Sequence, residues 1–533
     1  MARDFRTAAE RVVDDLLTDD PETAHWAGDH RVDDRLPDYS AGAVAARVGR
    51  LRQDATVLAE VDLDALDAAD AVDAELLMSA VDARLFALTE VREHEWNPLL
   101  HNPGFLLHGL VTRNFAPSVE RLTSVVGRLR ALPDALATAE AVLVDCPQVH
   151  VETALGQIAG IRALVTREVP ALVDDVPGMA ADVAAAQVGA VAAIDRHEAW
   201  LRERVAEPGR DPRLGRPRWE AKLWHSLDSH LTAAELLRRA ERTLEDVSDR
   251  IRETAKELTG SDDVRAALDS LAADRPDDTT IVGRAAEALT AATDFVRSHG
   301  IVSMVDDECR IVEMPEFSRG VAVAYCDAPG PLETADVPTF YAIAPTPSDW
   351  SMARRDSFYR EYNDHMLHNL TVHEAMPGHF LQLAHARRFR GSTRARALCS
   401  SGTFVEGWAV YCEQVMTDAG YGGLGVRMQQ LKLQLRCTIN AMLDQLVHCE
   451  GLTEADGMAL MRDRGYQEEG EAAGKWRRAL LTSAQLSTYF VGYAEMAAIG
   501  RARPAEIPVA SWHDRMLAHG SPSPRHLRTL LGL

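Results

Sequence analysis

The sequence predicts a mostly α-helical protein carrying one small β-sheet, on three observations. Long stretches rich in Ala, Leu, Arg and Glu, all good helix formers, are broken only by short Pro/Gly punctuation. Near residue 300 the pattern changes to short runs rich in β-branched residues, separated by prolines. The chain of 533 residues also exceeds the roughly 250–300 at which a single core stops growing. Two large lobes or one elaborated helical body are therefore expected, and the change of pattern sets a helical lobe over residues 1–300 apart from a second part over 301–533, with a sheet at 301–345 and helices at 346–533.

In chain order, helices are predicted over Ala41–Val61, Ala68–Thr89, Ser118–Asp145, Ala154–Val169, Ala180–Ala206, Ala233–Leu258, Asp262–Ala273 and Thr279–Ser298. Asp20–Ser40 carries Pro21, Gly28 and Pro37, and Glu207–Pro217 carries three prolines and two glycines, so both read as surface loops. Strands are predicted at Cys309–Glu313, Val321–Tyr325 and Thr339–Ile343, bounded by Pro315, Pro329–Pro331 and Pro338. They form a three- or four-stranded, mostly antiparallel sheet. Helical patterns resume after Pro347.

Hydrophobic residues at 46% and charged residues at 26% fit a globular protein. The net charge of −24 argues against nucleic acid or an anionic membrane as the main partner, since both need a basic surface. The longest nearly apolar run, Val183–Ile194, falls short of the about 18 residues of a spanning helix. The polar start, Met1–Phe5, lacks the apolar region of a secretory signal. Seven cysteines, an odd number with no CxxC, do not suggest a disulfide framework. These features predict a cytoplasmic protein with reduced thiols.

The segment His373-Glu374-Ala-Met-Pro377-Gly378-His379 carries the chemistry. In a metallopeptidase HExxH helix, two His four residues apart share one face and bind zinc, while the Glu activates water. Here the interval is six residues, which on a regular helix sets the rings about 120° apart. Pro377 cannot donate to the carbonyl of His373, and Gly378 admits unusual backbone angles. Together they predict a two-residue bulge that returns His379 to the side of His373. Catalytic zinc commonly takes a third protein ligand, and Glu406, 27 residues further on, is placed to supply it from a second helix. Glu413, seven residues later on the same helical face, either orients a ligand His or is a solvated carboxylate.

Arg436, Asn440, Asp444 and His448 recur every fourth residue along the otherwise apolar helix around Leu431–Val447, a polar stripe that suggests an internal cleft. Arg436 either pairs with a structural carboxylate or grips a substrate carboxylate in a locally basic channel. Arg477 and Arg478 read as solvated. Tyr489, within Gln485-Leu-Ser-Thr-Tyr489-Phe-Val-Gly492, is either a core aromatic or a donor to an oxyanion, with His448 as a second candidate.

At these residues the sequence resembles the domain-of-unknown-function 885 family, a branch of the zincin metallopeptidases. His373–Gln382 matches the family's HEAxPGHxxQ, and Phe404–Glu413 matches FxEGWAxYxE. Asp444 and His448, with Thr453–Ala455, match a third pattern, DxxxH followed by a T-x-x-(E/D)-A-like stretch. Gln485, Tyr489 and Gly492 match the last, although Ser483 and Ala484 stand where Pro-Gly is usual. Asn440 stands where a basic residue is expected and Tyr493 where Lys is common. The resemblance implies two helical lobes around a deep channel with the small sheet at its wall.

The expected function is a zinc-dependent metallohydrolase acting on a peptide or amide bond in a short peptide or small metabolite. His373, His379 and Glu406 would hold zinc, Glu374 would be the base, and Tyr489 or His448 would stabilise the oxyanion. Arg436 would contact substrate, and Glu413 and Asp444 would support these groups from behind. Two alternatives stay open: a metal-dependent tailoring enzyme of natural-product metabolism that is not a hydrolase, and a catalytically silent binding protein.

Overall fold

Local chemistry starts the helices where the sequence places them. Ser40 accepts from the Ala43 amide at the head of α2 (Ala41–Ala59), and Thr232 and Glu235 form a reciprocal capping box at the head of Ala233–Thr259. The computed structural model describes residues 2–207, 209–229, 231–314, 323–347 and 350–533.

The chain divides into two units. The first comprises Met1–Pro212, Pro329–Val337 and Arg390–Cys399. Its main helices are α1 (Ala2–Asp19), α2, α3 (Ala68–Phe86), α4 (Ser118–Val142), α5 (Gln148–Ala163) and α6 (Ala180–Val205). By length and composition Pro177–Val205 would also cross a membrane, but its Val183, Ala186, Ala190 and Ile194 pack into this unit's core. The predicted loop Asp20–Ser40 contains a short helix, Pro21–Ala27, capped by Asp20. In the other predicted loop, Pro208 lies outside the described residues, and a helix already begins at Arg216.

The second unit comprises Arg213–Ala328, Pro338–Phe389 and Ser400–Leu533. The division therefore falls at residue 212, not at 300. The reason is packing: α7 (Ala233–Thr259) lies along α13 (Gly423–Glu450), and α8 (Ile281–His299) lies on α10 (Asp364–Glu374). Helix α13 is buried on every face for most of its length, as expected of a core helix.

The sheet comprises β1 (Cys309–Glu313), β2 (Ala324–Asp327) and β3 (Thr339–Ile343), in the order β1-β3-β2. It is mixed, not mostly antiparallel. β1 runs parallel to β3 with Cys309 opposite Thr339, and β2 runs antiparallel with Ala324 opposite Ile343. A parallel pair needs a long connection, which residues 314–338 supply. The second strand is described over Ala324–Asp327, so it ends two residues later than predicted, and Val321 and Ala322 of that prediction lie outside the described residues. Four more helices complete the surroundings of the site: α9 (Met352–Glu361), α11 (His379–Arg388), α12 (Gly402–Asp418) and α14 (Glu469–Leu481), followed by α15 (Ser487–Arg501).

Candidate functional site

The site is built on a broken helix. Helix α10 ends at Glu374 and α11 begins at His379. Across the break, the amides of Ala375 and Met376 both donate to Thr371 O, at 2.9 and 3.1 Å. Gly378 N then donates to Val372 O at 2.9 Å and Leu381 N to Ala375 O at 3.3 Å, each spanning six residues in place of four. The two extra residues are thereby absorbed, and the imidazole centroids of His373 and His379 come within 4.7 Å. A Cβ on Gly378 would lie 1.9 Å from His373 O, so only glycine fits. Pro377, preceded by a cis peptide, leaves its carbonyl to be taken by the buried indole Nε1 of Trp408 at 2.9 Å.

Helix α12 brings the third group. Glu406 Oε2 lies 3.5 Å from His373 Nε2 and 3.4 Å from His379 Nε2, and the three groups' ligand-type atoms all fall within 4.8 Å of one another. The buried Glu406 Oε2 makes no hydrogen bond to a described residue. Helix α12 is fixed against α15 by direct backbone contact: a Cβ on Gly407 would meet Gly492 C at 2.4 Å. The glycines of two separate motifs thus set the distance between the helices that carry Glu406 and Tyr489.

One turn-pair on from Glu406, Glu413 is fully buried. Its Oε1 accepts from His373 Nδ1 at 2.7 Å and its Oε2 accepts from Asn369 Nδ2 at 2.8 Å. Glu413 is therefore a partner of His373, not a solvated carboxylate. A carboxylate accepts, so His373 carries a proton on Nδ1 and turns Nε2 toward Glu406. Lone-pair atoms facing one another at these distances require a proton or a cation between them. Against burial, Glu406 and Glu413 hold His373 well above its ordinary pKa, and the two histidines hold Glu406 well below the carboxylate range. The two His–Glu separations are close to the about 3.4 Å between tetrahedral ligands at about 2.0–2.1 Å from zinc.

Glu374 is buried beside this cluster, and the Cys326 amide of β2 donates to it. Burial raises its pKa despite the two histidines. Tyr489 lines the same cavity as His373 and Glu374. Its hydroxyl oxygen accepts from Arg478 Nη2 at 3.1 Å and from Gln485 Nε2 at 3.3 Å. Arg478 also donates to Gln485 Oε1 at 3.0 Å, and since arginine only donates, this fixes which way the Gln485 amide points. Both lone pairs of the phenol are thus engaged, so its own proton is left for an acceptor in the cavity. Burial and Glu406 raise the Tyr489 pKa and keep that proton on. Arg478, which reads as solvated in the sequence, is a wall of the site. Its signal was the spacing of Glu471, Lys475 and Arg478 on one face of α14, a pattern that equally describes a solvated helix.

The polar stripe of α13 divides in two. Arg436 and Asn440 line the cavity. Arg436 is no free grip for a substrate carboxylate: its Nη1 lies 3.2 Å from Glu471 Oε1 and 3.7 Å from Glu361 Oε1. The lower half turns into protein. His448 is no oxyanion donor, because Nε2 donates to Ala479 O and Thr482 O at 3.0 and 2.8 Å while Nδ1 accepts from Leu214 N. Asp444 accepts from Trp219 Nε1, Ala484 N and Ser487, and so pins the turn that leads into Tyr489. Ala484, where the resemblance expects glycine, takes φ +63° in that turn.

The cavity encloses about 210 Å³, and every residue lining it belongs to the second unit. Four cations face three carboxylates on its wall, so it is close to balanced rather than strongly basic. The class of protein defined here is mostly helical, with a small mixed sheet and a His/His/Glu cluster at a helix break. The chain belongs to the family described as bacterial protein of unknown function, DUF885, which matches residues 21–531. Two solved structures share the fold. One, a "putative lipoprotein of unknown function" from Shewanella oneidensis, is 26% identical, with a TM-score of 0.81 over 99% of this chain and 100% of that one. The other, the "putative lipoprotein" from Colwellia psychrerythraea, is 15% identical, with a TM-score of 0.81 over 100% of this chain and 98% of that one. None of the curated proteins compared with the chain matches it. Both neighbours are described as putative lipoproteins, which counts against the expected cytoplasmic placement. Composition and free thiols describe the folded chain, whereas the address is carried by separate targeting segments.

Proposed function

We propose that the protein is a zinc-dependent hydrolase of peptide or amide bonds in small substrates, on a zincin-like plan. The observation that carries this reading is the convergence of His373, His379 and Glu406 beside a cavity that His373, Glu374 and Tyr489 line. Zinc held by the three residues would supply a Lewis acid and lower the pKa of water toward about 7. Glu374 takes the proton of the attacking water and passes it to the leaving amine, and its raised pKa suits that shuttling. Tyr489 donates its hydroxyl proton to the oxygen on which charge develops. Glu413 and Asn369 hold His373 in the required tautomer. The outer edge of β2, with Val323 and Ala324 on the cavity wall, offers backbone groups to an extended substrate. A cavity of about 210 Å³ suits a ligand of one or two residues.

The test is metal analysis of the purified chain together with mass spectrometry of a mixture of short peptides and amides incubated with it. Glu374→Gln should keep one zinc per chain and lose about 10²–10⁴ in turnover. A wild-type chain that takes up no zinc overturns the reading, and near wild-type turnover in Glu374→Gln removes that residue as the base.

A further inference from the structure

The charges of the cavity pair off unevenly. Glu361 Oε2 takes Lys432 Nζ at 2.8 Å, and Glu471 takes Arg436 at 3.2 Å through Oε1 and the Tyr362 hydroxyl at 3.0 Å through Oε2. These two carboxylates are thus used by Lys432 and Arg436. Two cations on the cavity face of α14 remain. Among the described residues, Lys475 Nζ comes no nearer to a carboxylate than the 3.9 Å to Glu471 Oε1, and it makes no hydrogen bond to any of them. Arg478 spends Nη2 on Tyr489 and Gln485, both neutral, while Nε and Nη1 make no hydrogen bond to a described residue. Lys475 and Arg478 stand three residues apart on one helical face, and both line the cavity with His373 and Glu374. Gly470 and Gly474 on the same wall contribute no side-chain volume there.

A cavity-wall cation whose nearest described carboxylate stands 3.9 Å away is weakly paired, and an anion brought by a ligand would complete its pairing. Burial, with Arg478 beside it, pushes the Lys475 amine down to about 7, which marks the same deficit. We propose that Lys475 and the free edge of Arg478 form an anion subsite that receives a single carboxylate of the ligand. Resting on the hydrolase reading, this makes the substrate one with a free carboxylate close to the cleaved amide. A dianionic phosphate fits less well, because Glu361, Glu374 and Glu471 share the wall. The subsite takes the place of Arg436, whose guanidinium is already paired.

Two arms test this. Calorimetry with hippurate and its uncharged amide, hippuramide, needs no turnover: the full chain should bind hippurate at least tenfold tighter, and Lys475→Met should lose roughly tenfold of that preference. In the second arm, dipeptides with free or amidated C-termini are given to the zinc-loaded chain. The free acids should be preferred, and Lys475→Met should raise their KM with little change in kcat. Hippurate binding no tighter than hippuramide overturns the anion subsite whether or not any peptide is cleaved. A hippurate preference that Lys475→Met leaves intact does so as well. Selective hippurate binding with no cleavage of either peptide set leaves the subsite standing and counts against the hydrolase reading alone.

Discussion

Glu413→Gln exchanges one carboxylate oxygen for an NH2 group at constant shape. Glu413 is buried, with one oxygen on His373 Nδ1 at 2.7 Å and the other on Asn369 Nδ2 at 2.8 Å, so both oxygens face donors. A glutamine has only one acceptor to offer. If it faces Asn369, its NH2 meets the His373 N–H, and the imidazole must move its proton to Nε2, the atom turned toward Glu406. If it faces His373, the NH2 opposes the Asn369 amide, and one buried donor goes unsatisfied. Either arrangement costs about 1–3 kcal/mol of stability. The tautomer change also removes the lone pair a metal needs, for which loss of such a supporting group typically costs about 10–100-fold in metal affinity. Thermal unfolding of the metal-free protein reads the first effect, and competition with a chromophoric zinc chelator reads the second. Wild-type values in both would refute the assignment of Glu413 as the group that sets the His373 tautomer.

Tyr489→Phe removes the one proton that the Arg478–Gln485 pair leaves for the cavity, and kcat should fall by about 10²–10³ with thermal stability little changed; an unchanged kcat would return Tyr489 to the role of a wall residue. Ala484→Gly should raise the thermal unfolding temperature, since an alanine at φ +63° gives up about 1 kcal/mol relative to glycine; a lower unfolding temperature would show that the turn gains more from the methyl group than it loses in the backbone.

Much of the site was legible because its residue types are chemically committed. Two histidines six apart, with Pro377 and Gly378 between them, are incompatible with a regular helix and compatible with a two-residue interruption, and the backbone makes that interruption at 375–378. The second motif was legible as a pattern, but its uses were not. Trp408 takes the Pro377 carbonyl, Gly407 touches Gly492, and Glu413 meets His373, and each of these joins segments far apart in the chain. The helices themselves were set by local propensity and punctuation, which is why the spans around Ala41, Ser118, Ala180 and Ala233 begin as read.

By itself, then, the sequence determined the helical class, the places of β1 and β3 and which residues make up the candidate His373, Glu374, His379 and Glu406 group, since these rest on local propensity, periodicity and residue chemistry. Only the tertiary structure decided the parallel β1–β3 pairing, the unit boundary at residue 212, and the split of the α13 stripe into cavity and core. It also decided which cations are spent and which remain: Arg436 is paired, His448 is bound to backbone, and Arg478 and Lys475 face the cavity. The reason is that a charged side chain on a helix carries no local mark of its partner. Whether it is solvated, paired or waiting for a ligand depends on groups brought to it from distant parts of the chain.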